Sequence, residues 1–118
     1  MVLVDTSVWV DHLRATEARL VEWLLEGQVV CHPFSIGELA CGALEQRAEI
    51  LALLKELPQV PVVTSDHVLV FLDVHALMGK GLGWVDVHLL ASAYVSGHRL
   101  WTRDKRLAEA ARRLGVAA

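Results

Sequence analysis

Four acidic residues, Asp5, Glu38, Asp86 and Asp104, stand where a parallel α/β chain would gather them. Asp5 directly ends the apolar run Val2–Val4, and Asp104 follows the apolar stretch Leu100–Thr102 by two residues. In such folds the functional crevice lies beyond the carboxyl ends of the strands, so chain order alone puts these two acids on one edge. A carboxylate ending a buried strand also sits where desolvation is expensive. Glu38 and Asp86 fall in the expected first turns of helices, where the macrodipole favours a carboxylate by about 0.3–1 kcal/mol, so helix starting is their alternative role. If all four converge, their repulsion raises their pKa values unless a cation sits between them. Carboxylate oxygens suit Mg²⁺ or Mn²⁺, and no Cys/His set has zinc spacing. Such an ion polarises a phosphodiester and acidifies the water that attacks it. Thr6, Ser7 and Thr102 lie beside these acids and are candidates to orient them, with capping and strand ending as their alternative.

The elements needed to position this cluster are legible in the hydropathy. Val2–Val4 reads as a strand buried on both faces, followed by a helix capped by Thr6 or Ser7, with Val8, Trp9 and Leu13 inward. A second helix runs from Thr16 to Gly27, and Val29–His32 forms a second strand broken by Pro33. Ser35 opens a helix through Ile36, Leu39, Ala40 and Ala43, and Glu45–Leu57 makes another. Pro61–Val63 reads as a short strand, and Thr64 or Ser65 caps a helix through Leu77 that stops at Gly79. Beyond the loop Gly79-Lys80-Gly81-Leu82-Gly83, a helix over Trp84–Ser96 turns Val87, Leu90, Ala91 and Tyr94 to the core. Leu100–Thr102 is a strand, Asp104–Leu114 a helix, and the last residues are placed as an edge strand. Short apolar strands alternating with helices predict one domain over residues 1–118, built on a parallel sheet of four to five strands with helices on both faces.

Composition narrows the function classes. A chain of 118 residues with 54% apolar residues affords a packed core. No apolar run approaches the ~18 residues of a membrane span. The start, MVLVDTS, has no basic segment and reads as the beginning of the fold. Cys31 and Cys41 share no paired spacing and read as reduced core cysteines, which places the protein in the cytoplasm. A net charge of −3 excludes nucleic-acid binding through overall charge, leaving local basic groups or metal ions to do it.

The densest basic region is Arg103, Lys105, Arg106, Arg112 and Arg113. Most of it reads as a solvated helix face, with Arg103 between Thr102 and Asp104 the candidate for contact with a scissile phosphate or a partner's carboxylate. Lys80, in the glycine loop, is a second candidate for a phosphate contact, with loop mobility the alternative. The glycines at 79, 81 and 83 follow a helix and not a strand, so they are no dinucleotide fingerprint. The six histidines read as surface or core residues, since His88 and Asp86 do not share a helix face. Trp9, Trp23, Trp84 and Trp101 read as packing residues, with base stacking the alternative. The apolar helices near 20–25 and 68–77 carry more hydrophobic positions than one core needs, enough for a further interface.

VDTSVWVDHL, IGELACGAL, GLGWVDVHLLASA and LWTRDKRLAEAA together resemble the successive motifs of PIN-domain nucleases, most closely the VapC-type toxins, from residue 2 to about residue 114. The resemblance implies a three-layer α/β/α domain and a Mg²⁺- or Mn²⁺-dependent endoribonuclease acting on tRNA or rRNA. It assigns Asp5, Glu38, Asp86 and Asp104 as catalytic metal-binding acids. It also implies a homodimer, inhibited by a small VapB-type antitoxin whose C-terminal arm occupies the active-site groove. Many PIN sequences carry a further acid where this chain reads Lys105-Arg106-Leu107, which leaves a four-acid site and an open number of metal ions. A solitary RNA-processing nuclease and a catalytically idle PIN-fold binding module are the alternatives. The second has no use for like charges gathered at one site. A strand-end phosphatase would want an acid at position 7, which is serine. A receiver-type phosphorylation switch would want adjacent acids after the first strand, where Thr6 follows Asp5.

Overall fold

A computed structural model describes all residues 1–118. The chain runs β1 (Val2–Val4), α1 (Thr6–Arg14), α2 (Ala18–Leu25), β2 (Val29–Val30), α3 (Pro33–Ala40), α4 (Arg47–Glu56), α5 (Ser65–Val74), α6 (Trp84–Ser96), β3 (Arg99–Trp101) and α7 (Lys105–Arg113). The three strands form a parallel sheet in the order β2-β1-β3, so β1 is central.

Side-chain alternation along these strands divides the interior in two. Leu3, Val30 and Leu100 join a cluster with Val68 and Phe71 of α5, Val87 to Ala93 of α6, and Leu107 and Ala111 of α7. Val2, Val4 and Val29 join a second cluster with Val8 and Trp9 of α1, Leu20 of α2, Ile36 and Leu39 of α3, and Leu51 and Leu54 of α4. The sheet is therefore sandwiched between two helical layers, as the apolar strands require.

The sheet has three strands where four to five were expected. On one edge the fourth strand shrinks to a single bridge between Cys31 and Gln59, and it lies ahead of the predicted Pro61–Val63. Cys31 donates to the Pro58 carbonyl and Val60 to that of Cys31. Pro61 has no N–H with which to extend the ladder. On the other edge the C-terminal residues contribute one bridge, Leu100 with Ala117.

Three helices differ from expectation in ways that matter. Helix α3 starts at Pro33, two residues early, because the His32 ring accepts the Phe34 N–H as an N-cap and proline suits the first helical position. Glu38 therefore lies in the second turn and Ala43 outside the helix. Helix α5 ends at Val74, where Ala76 adopts a left-handed φ of 52° and turns the chain. Tyr94 is exposed, past the buried stretch Val87–Ala93 of its helix, and His88 takes an inward place instead. Cys31 is a core residue as expected, whereas Cys41 is exposed and free. No helix is long and apolar enough to cross a membrane.

Candidate active site

Asp5 is the N-cap of α1, and its backbone N–H donates to the Trp101 carbonyl at the end of β3. Its carboxylate is buried, 7% exposed, and is held by two hydroxyls. Ser7 and Thr102 donate to the same oxygen, Oδ2, at 2.8 and 2.7 Å. Arg103 N–H donates in turn to Ser7 Oγ, and Asp104 N–H to Thr102 Oγ1. The turn after β3 is thus built onto the turn after β1 through two hydroxyl side chains. Thr102 and Ser7 both bond the Asp5 side chain here.

Asp104 caps α7, its Oδ1 accepting the N–H groups of Arg106 and Leu107 at 2.9 and 3.0 Å. Asp86 is the third residue of α6, and its Oδ2 accepts the N–H of Gly83 at the helix N-cap at 2.9 Å. Glu38 stands outside the first turn of α3, so the helix-start reading does not account for it. Its Oε1 accepts from Thr6 Oγ1 at 2.7 Å, 32 residues away in sequence. Each of the four acids therefore has one oxygen fixed by the chain, while the other takes no hydrogen bond from it.

The four also share a field. Burial first, and then the charges of Asp5, Asp104 and Glu38, push the Asp86 carboxyl above its usual range, against the opposing Gly83 N–H. Repulsion of this kind is what a cation relieves. The donors are hard oxygens without sulfur or imidazole, which fits Mg²⁺ or Mn²⁺. As the side chains stand, no three acids, histidines or cysteines close on a single point.

The two predicted basic contacts fare differently. Arg103 pairs with Asp11 at 3.1 Å and with Glu17, and it lies over Trp101, so its guanidinium ties β3 to α1 and α2. It bonds to none of the four acids. Lys80 is exposed in the glycine loop and has no acidic partner. Sequence reasoning passed over the aromatic group between α3 and α6, where His88 meets His32, Phe34 and Trp84 edge to face and His32 tilts onto Phe34. Burial, with the nearby His88, lowers His32 to about 4, so this wall stays uncharged. Trp84 is 43% exposed two residues before Asp86, so it is not a core residue. Trp9 is buried, and Trp23 packs on Trp101 at 5.2 Å.

The sequence matches the PIN domain family over residues 2–113. The chain is a PIN domain. It is also 56% identical over 118 residues to Ribonuclease VapC32 of Mycobacterium tuberculosis, in the CDC 1551 / Oshkosh and H37Rv strains alike. That alignment covers 99% of this chain and 95% of the relative, so this PIN domain is of the VapC type. The three-layer arrangement is the one that the resemblance implied.

Proposed function

We propose that this PIN domain, residues 1–118 as one unit, is a metal-dependent endoribonuclease and the toxin of a type II toxin–antitoxin pair. The observation that carries the reading is the half-held state of its acids. Asp5, Glu38, Asp86 and Asp104 each present one fixed and one free oxygen around a shared field. The near full-length likeness to a protein named a ribonuclease supports RNA as the substrate.

A bound Mg²⁺ or Mn²⁺ would supply Lewis-acid polarisation of a phosphodiester and acidify the attacking water. The chain's own part is positioning. Ser7 and Thr102 keep Asp5 from rotating, Thr6 steadies Glu38 across from α1, and the two helix starts fix Asp86 and Asp104. The substrate class is tRNA or rRNA, and a small VapB-type antitoxin is the cognate inhibitor. Exposed Leu69, Val70, Val74 and Val95 on α5 and α6 support a homodimer, and exposed free Cys41 supports a reducing, cytoplasmic setting.

The test is cleavage of RNA by purified protein with Mg²⁺ or Mn²⁺, repeated in EDTA and with Asp5→Asn. Cleavage should stop in both cases while the far-UV spectrum of the variant is unchanged. Equal cleavage in chelator refutes the metal mechanism, and an active Asp5→Asn refutes the site.

A further inference from the structure

With a net charge of −3, this chain cannot attract a polyanion as a whole, so any RNA grip must be local. Arg103 is already committed to Asp11 and Glu17. A small cavity of about 110 Å³ lies instead between the glycine loop and α7, lined by Lys80, Arg106, Glu109, Ala110 and Arg113. None of its three cations has a carboxylate within ion-pair distance, Glu109 included. Arg113 makes only a long contact to the His75 carbonyl, at 3.4 Å.

The cavity is built into the same two segments that position the acids. Arg106 donates its backbone N–H to Asp104, and the loop that carries Lys80 ends at Gly83, which holds Asp86. The arginine lies close against Gly81. Its φ of 76° is left-handed, and a Cβ there would fall within 3.0 Å of Arg106 Cδ, Cζ and Nη1. With glycine there the guanidinium lies against the loop, and a side chain at this position would make it shift.

We propose that this cavity is a phosphate subsite, in which Lys80, Arg106 and Arg113 hold a non-scissile phosphate of the RNA beside the carboxylate cluster. The inference rests on the nuclease reading for its ligand. Arginine offers planar, multi-donor recognition of such an oxyanion and lysine a mobile point charge. With Arg106 two residues after Asp104 and Lys80 three before Gly83, these cations would help decide where the strand enters.

The experiment measures binding separately from cleavage. Affinity of a fluorescein-labelled single-stranded RNA is followed by anisotropy in an Asp5→Asn background, with Lys80→Gln, Arg106→Gln or Arg113→Gln added. Lys55→Gln and Arg112→Gln, which remove charge outside the cavity, serve as controls, and circular dichroism checks folding. Each cavity variant should weaken binding about fivefold. Each should also flatten the slope of log affinity against log salt, by no more than about 0.7, the value for one phosphate contact on a single strand. Controls should stay within about twofold. Equal effects from cavity and control variants overturn the proposal. So does an RNA affinity that none of the variants moves while inorganic phosphate raises the melting temperature of the parent, because the cavity then serves a free anion. If the parent enzyme fails to cleave RNA, the nuclease reading fails, and the binding comparison still judges the cavity.

Discussion

Thr102→Val replaces a hydroxyl by a methyl of nearly the same shape and isolates the polar contribution of one atom. Thr102 Oγ1 donates to the buried Asp5 carboxylate at 2.7 Å and accepts the Asp104 N–H at 3.1 Å. A hydrogen bond to a charged group is worth about 1.5–3 kcal/mol. The exposed Asp104 N–H can turn to water at little cost, so about 2 kcal/mol is the expected loss. An unfolding entropy of about 2.1 cal/mol/K per residue gives about 0.25 kcal/mol/K for 118 residues. The melting temperature in EDTA should therefore fall by about 8 °C. Thr102→Ser keeps the hydroxyl and should recover most of it. Scanning calorimetry of the three proteins in metal-free buffer reads the effect, and RNA cleavage should drop about 10- to 100-fold in Thr102→Val alone. A melting temperature within 2 °C of the parent would refute the claim that this hydroxyl holds Asp5, as would Thr102→Ser behaving like valine.

Asp86→Asn keeps an oxygen for the Gly83 N–H but removes the charge that burial and three neighbouring acids disfavour. It should raise the melting temperature in EDTA by about 2 °C, equivalent to ~0.5 kcal/mol. It should also reduce the further rise on adding Mg²⁺, and both are readable by differential scanning fluorimetry. His32, lowered by burial from 6.5 to about 4, stays neutral in the folded protein, while the unfolded chain takes up a proton below 6.5. Its contribution is therefore complete above about pH 6.5 and is lost as pH falls towards 4. The loss amounts to about 2 kcal/mol by pH 5. Urea unfolding at pH 7 and pH 5 should show a smaller difference in His32→Asn, whose side-chain oxygen can still cap α3.

The sequence makes the acids at strand ends easy to find, because Asp5 interrupts a run of valines and leucines and Asp104 follows another. Helix α6 is legible over its whole length, since Gly83 and Gly97 bracket it. The sheet edges are not, because a strand reduced to one bridge at Gln59 or Ala117 depends on long-range pairing that local hydropathy does not encode. The start of α3 is hidden by His32, whose capping role needs a ring in a particular orientation. Glu38 illustrates the limit for the site, as only the Thr6 contact across 32 residues distinguishes it from an ordinary surface glutamate. The partners of Arg103 leave no trace in the sequence either, since Asp11 and Glu17 lie on elements that approach it only in the folded chain.

Asp104 spends one oxygen on starting α7 and keeps the other for the site. A scan of every substitution at this position would thus confound two kinds of failure. Alanine breaks both the helix start and the cluster, and glutamate keeps the charge on a stem one carbon longer than the cap geometry uses. Asparagine caps a helix about as well as aspartate and changes only the charge. At this residue asparagine alone asks the chemical question without also asking the structural one.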